Sequence, residues 1–270
     1  MGECSKETAF DMLDHFHACG GNFIDTANMY MVGESEAWVG EWMHLRKTRD
    51  QIILATKYTN PVRSLGEEKE GVIVSNYAGN GRKSLRLALE ESLQRLQTNY
   101  IDLYYVHVWD GLTSIPELMR ALDEVVRAGK VLYLGVSNWP AWIVVKANDY
   151  ARDNGLTPFV AYEGRWNPAD REIEREIVPM CMAEGMAITA WGALGGGKFK
   201  STLQKKEDGG RNFANDLGGA SLETFQKIAV VMEEIGKQKK TDATAIALRY
   251  VMLKVSHDAH IQSMFSTLSL

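Results

Sequence analysis

Four side chains of this sequence have the types needed to deliver a proton to a carbonyl oxygen: Asp25, Tyr30, Lys57 and His107. A phenol is a poor acid near neutral pH, because its free pKa is about 10. A lysine ammonium beside it stabilises the phenolate and lowers that value. A carboxylate beside the lysine keeps the ammonium charged and oriented. A histidine can hydrogen-bond the carbonyl oxygen or assist the proton transfer. Such a set protonates a carbonyl oxygen while a hydride reaches the carbon, and the hydride requires a cofactor. Each residue also has a plainer reading: Asp25 as a turn cap, Lys57 as a solvated strand end, His107 as a hydrogen-bonded core histidine. Position favours the joint reading, because Asp25, Lys57 and His107 each end a separate apolar run.

The elements that must position them follow from the hydrophobic pattern. Ser5 is placed to cap a helix burying Ala9, Phe10, Leu13 and Phe16. Gly20 and Gly21 stop it, and residues 22–27 read as a short buried strand around Asp25. Ser35 is placed to start a helix burying Trp38, Val39, Trp42 and Met43. Residues 52–57 form a near-continuous apolar run, the mark of a strand buried on both faces. Residues 58–80 have no period and read as a functional or mobile loop. Leu85, Leu89, Leu93 and Leu96 share a helical stripe, and residues 101–107 read as a strand. Ser114-Ile115-Pro116-Glu117 has capping-box spacing with proline in the first turn, for a helix ending near Gly129.

Residues 131–137 are a strand, and Pro140 opens a helix stopped by Gly155. Residues 159–162 are a shorter strand. Asp170 caps a helix carrying Ile173, Ile177 and Cys181, stopped by Gly185, before a strand over 187–191. Residues 192–220 are a glycine-rich loop containing Gly195-Gly196-Gly197 and Gly209-Gly210. Helices follow around 221–238 and 241–255, and residues 257–270 form an atypical tail without pattern.

This alternation predicts an α/β fold with a parallel sheet and outer helices. A doubly wound sheet and a (β/α) barrel both fit the periodicity. Asp25, Lys57, His107, Ser137-Asn138 and Trp191 fall at or near the C-terminal ends of different strands. In a barrel those ends converge on the catalytic face, which favours the barrel.

Composition narrows the function classes. A chain of 270 residues, 45% hydrophobic and 24% charged, suits one soluble globular domain or two small ones, and the length fits a single α/β barrel domain. The net charge of −5 leaves no basic footprint for nucleic acid. Three cysteines without ligand spacing read as reduced thiols of a cytoplasmic protein. No apolar run is long enough to span a membrane, and the six histidines show no metal-ligand pairing. Gly192 to Lys198 has phosphate-loop spacing, but Phe199 stands where a Mg²⁺-binding hydroxyl would be needed.

The segments Asp25-Thr26-Ala27-Asn28-Met29-Tyr30, Ala55-Thr56-Lys57, Tyr105-Val106-His107 and Gly135-Val136-Ser137-Asn138 resemble the aldo-keto reductases. Gly40-Glu41-Trp42-Met43, residues 129–137 and Gly195-Gly196-Gly197-Lys198-Phe199 resemble the fungal branch of aryl-alcohol dehydrogenases and norsolorinic acid reductases. The resemblance runs from about residue 5 to 255.

It implies a (β/α)8 TIM barrel using NADP(H) on a small aromatic carbonyl or alcohol, either a benzyl alcohol or a polyketide ketone of a mycotoxin pathway. Tyr30 would be the general acid, Lys57 its pKa-lowering partner, Asp25 the support of Lys57 at the cofactor's edge, and His107 the residue that orients the carbonyl. Ser137 and Asn138 would bond the nicotinamide amide, and Trp191 would stack on its ring. Gly192, Leu194, Gly195, Gly196 and Lys198 would follow the pyrophosphate. On their own residues Trp109, at the mouth of the strand carrying His107, and Trp166 read either as walls of an aromatic pocket or as core.

Three departures from the family qualify this. The strand and floor hairpin expected before the first helix are not in the sequence. Residues 257–270 do not resemble the expected last strand and the cluster that grips the adenosine 2′-phosphate. Glu163 stands where a glutamine usually faces the nicotinamide amide, and a carboxylate accepts from the NH2 but cannot donate to the carbonyl unless protonated. The expectation is therefore a barrel lacking its first and last strands, with six strands and an uncovered edge. The alternative is a non-catalytic barrel remnant with a nucleotide-sensing or regulatory role.

Overall fold

The computed structural model describes residues 4–62, 74–199, 219–256 and 268–269. It divides into two compact units, one within Met1–Tyr162 and Thr267–Leu270, the other within Glu163–Ser266.

In the first unit helix and strand alternate. α1 (Lys6–Ala18) starts at Ser5, whose hydroxyl accepts the Thr8 N–H at 3.3 Å. β1 (Phe23–Asp25) is shorter than the predicted 22–27 run. Beyond Asp25 only alternate amides keep the ladder to the next strand, Thr26 N to Ala55 O and Asn28 N to Lys57 O. There follow α2 (Glu34–Arg46), β2 (Ile53–Tyr58), α3 (Arg82–Arg95), β3 (Ile101–Val106), α4 (Ile115–Arg127), β4 (Val131–Ser137) and α5 (Ala141–Asp153). β5 (Phe159–Arg165) begins in this unit. The Ser114 hydroxyl caps α4 by accepting Glu117 N–H at 3.3 Å, as its spacing predicts.

The strand order is β5-β4-β3-β2-β1-β7, where β7 is Leu268–Ser269. β1 through β4 pair in parallel. The outward row of Leu54, Tyr104 and Leu134 is buried, as are Val39, Trp42, Leu85, Leu89, Leu118 and Leu122 of the helices. This is the sheet-under-helices layering that the apolar runs called for.

One expectation needs correction here. β1 is not left without a neighbour on that side: β7 pairs parallel to it at Ile24 and Asp25. A two-residue strand is too short to leave an alternating signature, so the tail gave no pattern. α2 starts within one residue of Ser35, as its sequence suggests. The cap is Gly33, left-handed at φ 94°, and Ser35 lies buried in the first turn, its hydroxyl 2.7 Å from that of Thr26.

In the second unit β5 continues to Arg165, past the predicted end at 162. Glu163 is buried within it, and Trp166 N donates to Trp191 O at 3.1 Å just beyond it, so the strand runs on through a buried carboxylate. A one-turn 3-10 segment (Glu172–Glu174) precedes α6 (Ile177–Glu184), which the left-handed Gly185 ends. Asp170 does not cap this helix. Its carboxylate accepts from Asn167 Nδ2 at 3.0 Å and from Ala220 N at 2.7 Å. β6 (Ala187–Trp191) lies next to β5.

α7 (Leu222–Lys239) and α8 (Ala243–Ser256) complete the unit around a core of Phe199, Phe225, Ala229, Met232 and Ala247. Gly209-Gly210 and residues 257–267 lie outside the described residues. Among the described residues no helix is long and apolar enough to cross a membrane, and no group of three or more His, Cys, Asp or Glu side chains is arranged to hold a metal ion.

Candidate active site

Strand register generates the centre of the first unit. Asp25 is in register with Ala55. Side chains alternate along a strand, so Lys57 shares the face of Ala55 and stands diagonally across from Asp25, while Thr56 faces the helices. Lys57 Nζ therefore donates to Asp25 Oδ2, and also to the Thr26 carbonyl at 2.9 Å. The two side chains are 0% and 1% exposed, a burial that charged groups tolerate only when paired.

Above this pair the chain makes a 3-10 turn over Tyr30–Gly33. Lys57 Nζ lies 5.1 Å from the Tyr30 ring centroid and 5.8 Å from that of Tyr105. Tyr105 fills the space over Gly135, where a Cβ would stand 2.5 Å from its ring. The rings of Tyr30 and His107 meet edge to face, with centroids 6.0 Å apart.

His107 follows β3 and is fixed by its backbone N–H, which donates to Tyr58 O at 3.0 Å. Burial, aided by the charge of Lys57, pushes the imidazole pKa down to about 3, so the ring is neutral near pH 7. Its Nδ1 is 3.4 Å from Asn60 Nδ2. Asn138, left-handed at φ 58°, donates its amide to His107 O at 3.4 Å and to Ser137 Oγ at 2.8 Å. One run of contacts thus links Asp25, Lys57, Tyr30, His107, Asn138 and Ser137.

In the second unit Glu163 is buried on β5, and Trp191 ends β6 with the Arg165 guanidinium 5.7 Å from its ring centroid. Gly192 follows at φ 68°, and its carbonyl accepts from Gly195 N at 2.8 Å and Asn167 Nδ2 at 3.1 Å. Gly195, Gly196 and Gly197 are all left-handed, a backbone that side-chain-bearing residues rarely adopt. A Cβ on Gly195 would also stand 2.7 Å from Phe225. Leu194 is exposed, and Lys198 Nζ lies 5.1 Å from the Phe225 ring.

The two tryptophans that read as pocket wall or core differ. Trp166 is fully buried and donates to Glu174 Oε1 at 3.0 Å, so it is core. Trp109, in the first unit, is half-buried and packs on Trp139 and Trp142.

Several residues beside these centres escape a sequence reading. Asn60 and Arg165 lie in stretches without usable periodicity. Glu36 did carry a signal: it falls on the helical stripe of Val39, Gly40 and Met43, all buried.

A family model described as "Aldo/keto reductase family" matches residues 1–269. The norsolorinic acid reductase of Aspergillus flavus is 51% identical over 257 residues, 95% of this chain and 64% of that protein. An aryl-alcohol dehydrogenase of Pestalotiopsis microspora is 48% identical over 254 residues, 94% of this chain and 64% of that protein. A probable aryl-alcohol dehydrogenase of Saccharomyces cerevisiae is 44% identical over 262 residues, 95% of this chain and 79% of that protein. The chain thus spans 64% of the length of the first two of these relatives. With the family pattern matched along residues 1–269, the chain belongs to the aldo/keto reductase family.

Proposed function

We propose that this chain is an NADP(H)-dependent oxidoreductase interconverting an aromatic aldehyde or ketone and its alcohol, with Tyr30 as the general acid. The observation that carries the reading is the buried Lys57–Asp25 ion pair beside the Tyr30 ring. The relatives' names, norsolorinic acid reductase and aryl-alcohol dehydrogenase, support an aromatic substrate.

The residues suit the cofactor. Ser137 and Asn138 carry a hydroxyl and an amide fit for a carboxamide. Glu163 can accept from the carboxamide NH2. Trp191 has a flat ring fit for stacking. Gly192, Gly195, Gly196 and Gly197 give a left-handed backbone without Cβ atoms that a pyrophosphate can approach closely, and Leu194 and Lys198 add a spacer and a positive charge. When bound, NADP(H) supplies or accepts the hydride.

The protein's own part is the proton. In reduction the Tyr30 hydroxyl donates to the carbonyl oxygen. The Lys57 ammonium stabilises the phenolate that results, while Asp25 and the Thr26 carbonyl hold Lys57 in place. Neutral His107 offers a ring N–H to the same oxygen and fixes the carbonyl. In oxidation the phenolate takes the alcohol proton back.

The test is titration with NADPH and with NADH, followed by turnover of an aryl aldehyde such as benzaldehyde read by cofactor absorbance. Binding that favours NADPH, with turnover, is expected. A folded chain that binds neither cofactor and reduces no aryl aldehyde would falsify the reading.

A further inference from the structure

The turn that carries Tyr30 is strained. Met31 (φ 49°, ψ 38°) and Val32 (φ 57°, ψ 35°) are left-handed, and Gly33 follows at φ 94°. Left-handed backbone costs an L-residue about 1–2 kcal/mol, and a β-branched residue such as Val32 is rarely found there. Such a conformation persists only where its surroundings over-determine it.

Those surroundings are the first turn of α2. Glu36 is fully buried there. Its Oε1 accepts from the Thr56 hydroxyl at 2.6 Å, and its Oε2 from Arg95 Nε at 2.7 Å. Thr56 is the residue before Lys57 on β2, facing the opposite side of the sheet. Arg95 comes from the end of α3, and its side chain also packs against Gly33, where a Cβ would stand 3.0 Å from Cδ. The Thr26–Ser35 hydrogen bond closes the other side of the segment. A carboxylate on two charge-assisted or short hydrogen bonds inside a protein is a stiff joint.

We propose that Glu36 is a positioning residue. Through Thr56 and Arg95 it ties the strained turn bearing Tyr30 to the strand bearing Lys57, and so fixes the phenol relative to the ammonium. The inference rests on the proposed role of Tyr30 as acid. Ångström-scale misplacement of a reacting group costs up to about 10²-fold in rate. A loosened joint therefore lowers kcat rather than substrate affinity.

The test uses Thr56→Val, which removes one hydroxyl at nearly constant shape, with Thr56→Ser as the conservative control. In Thr56→Val kcat falls about tenfold while KM stays within about twofold. The alkaline limb of its kcat–pH profile moves to higher pH, because the phenol is less closely held to Lys57. The amides of Tyr30 and Val32, bonded to Ala27 O and Met29 O, exchange hydrogen faster. Thr56→Ser behaves as the parent.

A folded Thr56→Val protein with parental kcat, pH limb and exchange rates overturns the proposal, even if its Tm drops. If the parent chain reduces no aldehyde, the functional reading fails instead. Amide exchange then decides the clamp alone: acceleration confined to residues 29–33 supports it, and unchanged rates overturn it.

Discussion

Lys57 and Asp25 face each other diagonally across β1 and β2 and form an ion pair closed off from solvent. Removing one partner leaves the other as a buried uncompensated charge, which costs about 3–5 kcal/mol. Asp25→Leu is therefore expected to lose that much in urea denaturation. The double variant Asp25→Leu/Lys57→Met regains most of it, because no buried charge is left, yet stays inactive. Equal stabilities of Asp25→Leu and the parent chain would contradict this.

His107 makes stability depend on pH in a defined window. Its folded pKa, about 3, is below the usual 6.5. Between these values the unfolded chain binds a proton that the folded chain does not, so stability falls as pH drops from about 6.5 toward 3. The upper part of the window, pH 7 to 5, lies above the range where Asp14 and Glu174, both held near 2, begin to titrate. His107→Gln is expected to flatten the slope there, as read from denaturation midpoints. An unchanged slope counts against a buried neutral imidazole.

The close approach of α2 to the end of α3 passes over Gly40. A Cβ there would stand 2.5 Å from the Arg95 carbonyl oxygen and the Leu96 carbonyl carbon. Gly40→Ala should cost about 1–3 kcal/mol, since backbone cannot step aside as a side chain can. Gly155→Asn is the contrast: φ is 63°, nothing lies within 4 Å, and asparagine tolerates this conformation, so its midpoint should barely move. Similar midpoints for the two variants would show that the helices do not meet as described.

In the second unit Glu174 gathers Trp166 Nε1 at 3.0 Å, Arg171 Nη2 at 2.7 Å and Tyr250 Oη at 2.5 Å. Burial pushes its carboxyl up, but the hydrogen bonds from Arg171, Tyr250 and Trp166 outweigh this and bring it to about 2, against the usual 4.5. The stabilisation is present above pH 4.5 and is lost as pH falls toward 2. Tyr250→Phe should lower the denaturation midpoint clearly at pH 7 and only slightly near pH 2. A pH-independent effect would mean that Tyr250 contributes packing and not the hydrogen bond.

Much of this arrangement was legible in the sequence because it rests on local rules. The capping box at Ser114 and the apolar run of residues 131–137 give α4 and β4 with their observed starts. Asp25, Lys57 and His107 were visible as polar groups closing apolar runs, and their meeting follows from strand register. What stayed hidden depends on contacts distant in sequence. Asp170 looks like a helix cap but serves Asn167 and Ala220. Trp166 reads as pocket wall or core, and it belongs to the core through Glu174. The left-handed run at Met31 and Val32 has no sequence mark, since neither residue favours that backbone and only the surrounding hydrogen bonds impose it.

The most direct measurement is kcat for aryl-aldehyde reduction by Tyr30→Phe beside the parent chain, with NADPH affinity determined for both. The phenyl ring keeps the edge contact with His107 and the cation face toward Lys57 and loses only the acidic hydroxyl. The account predicts unchanged NADPH affinity and a fall in kcat of at least about 10²-fold. A Tyr30→Phe protein that binds NADPH and turns over within a few-fold of the parent contradicts it.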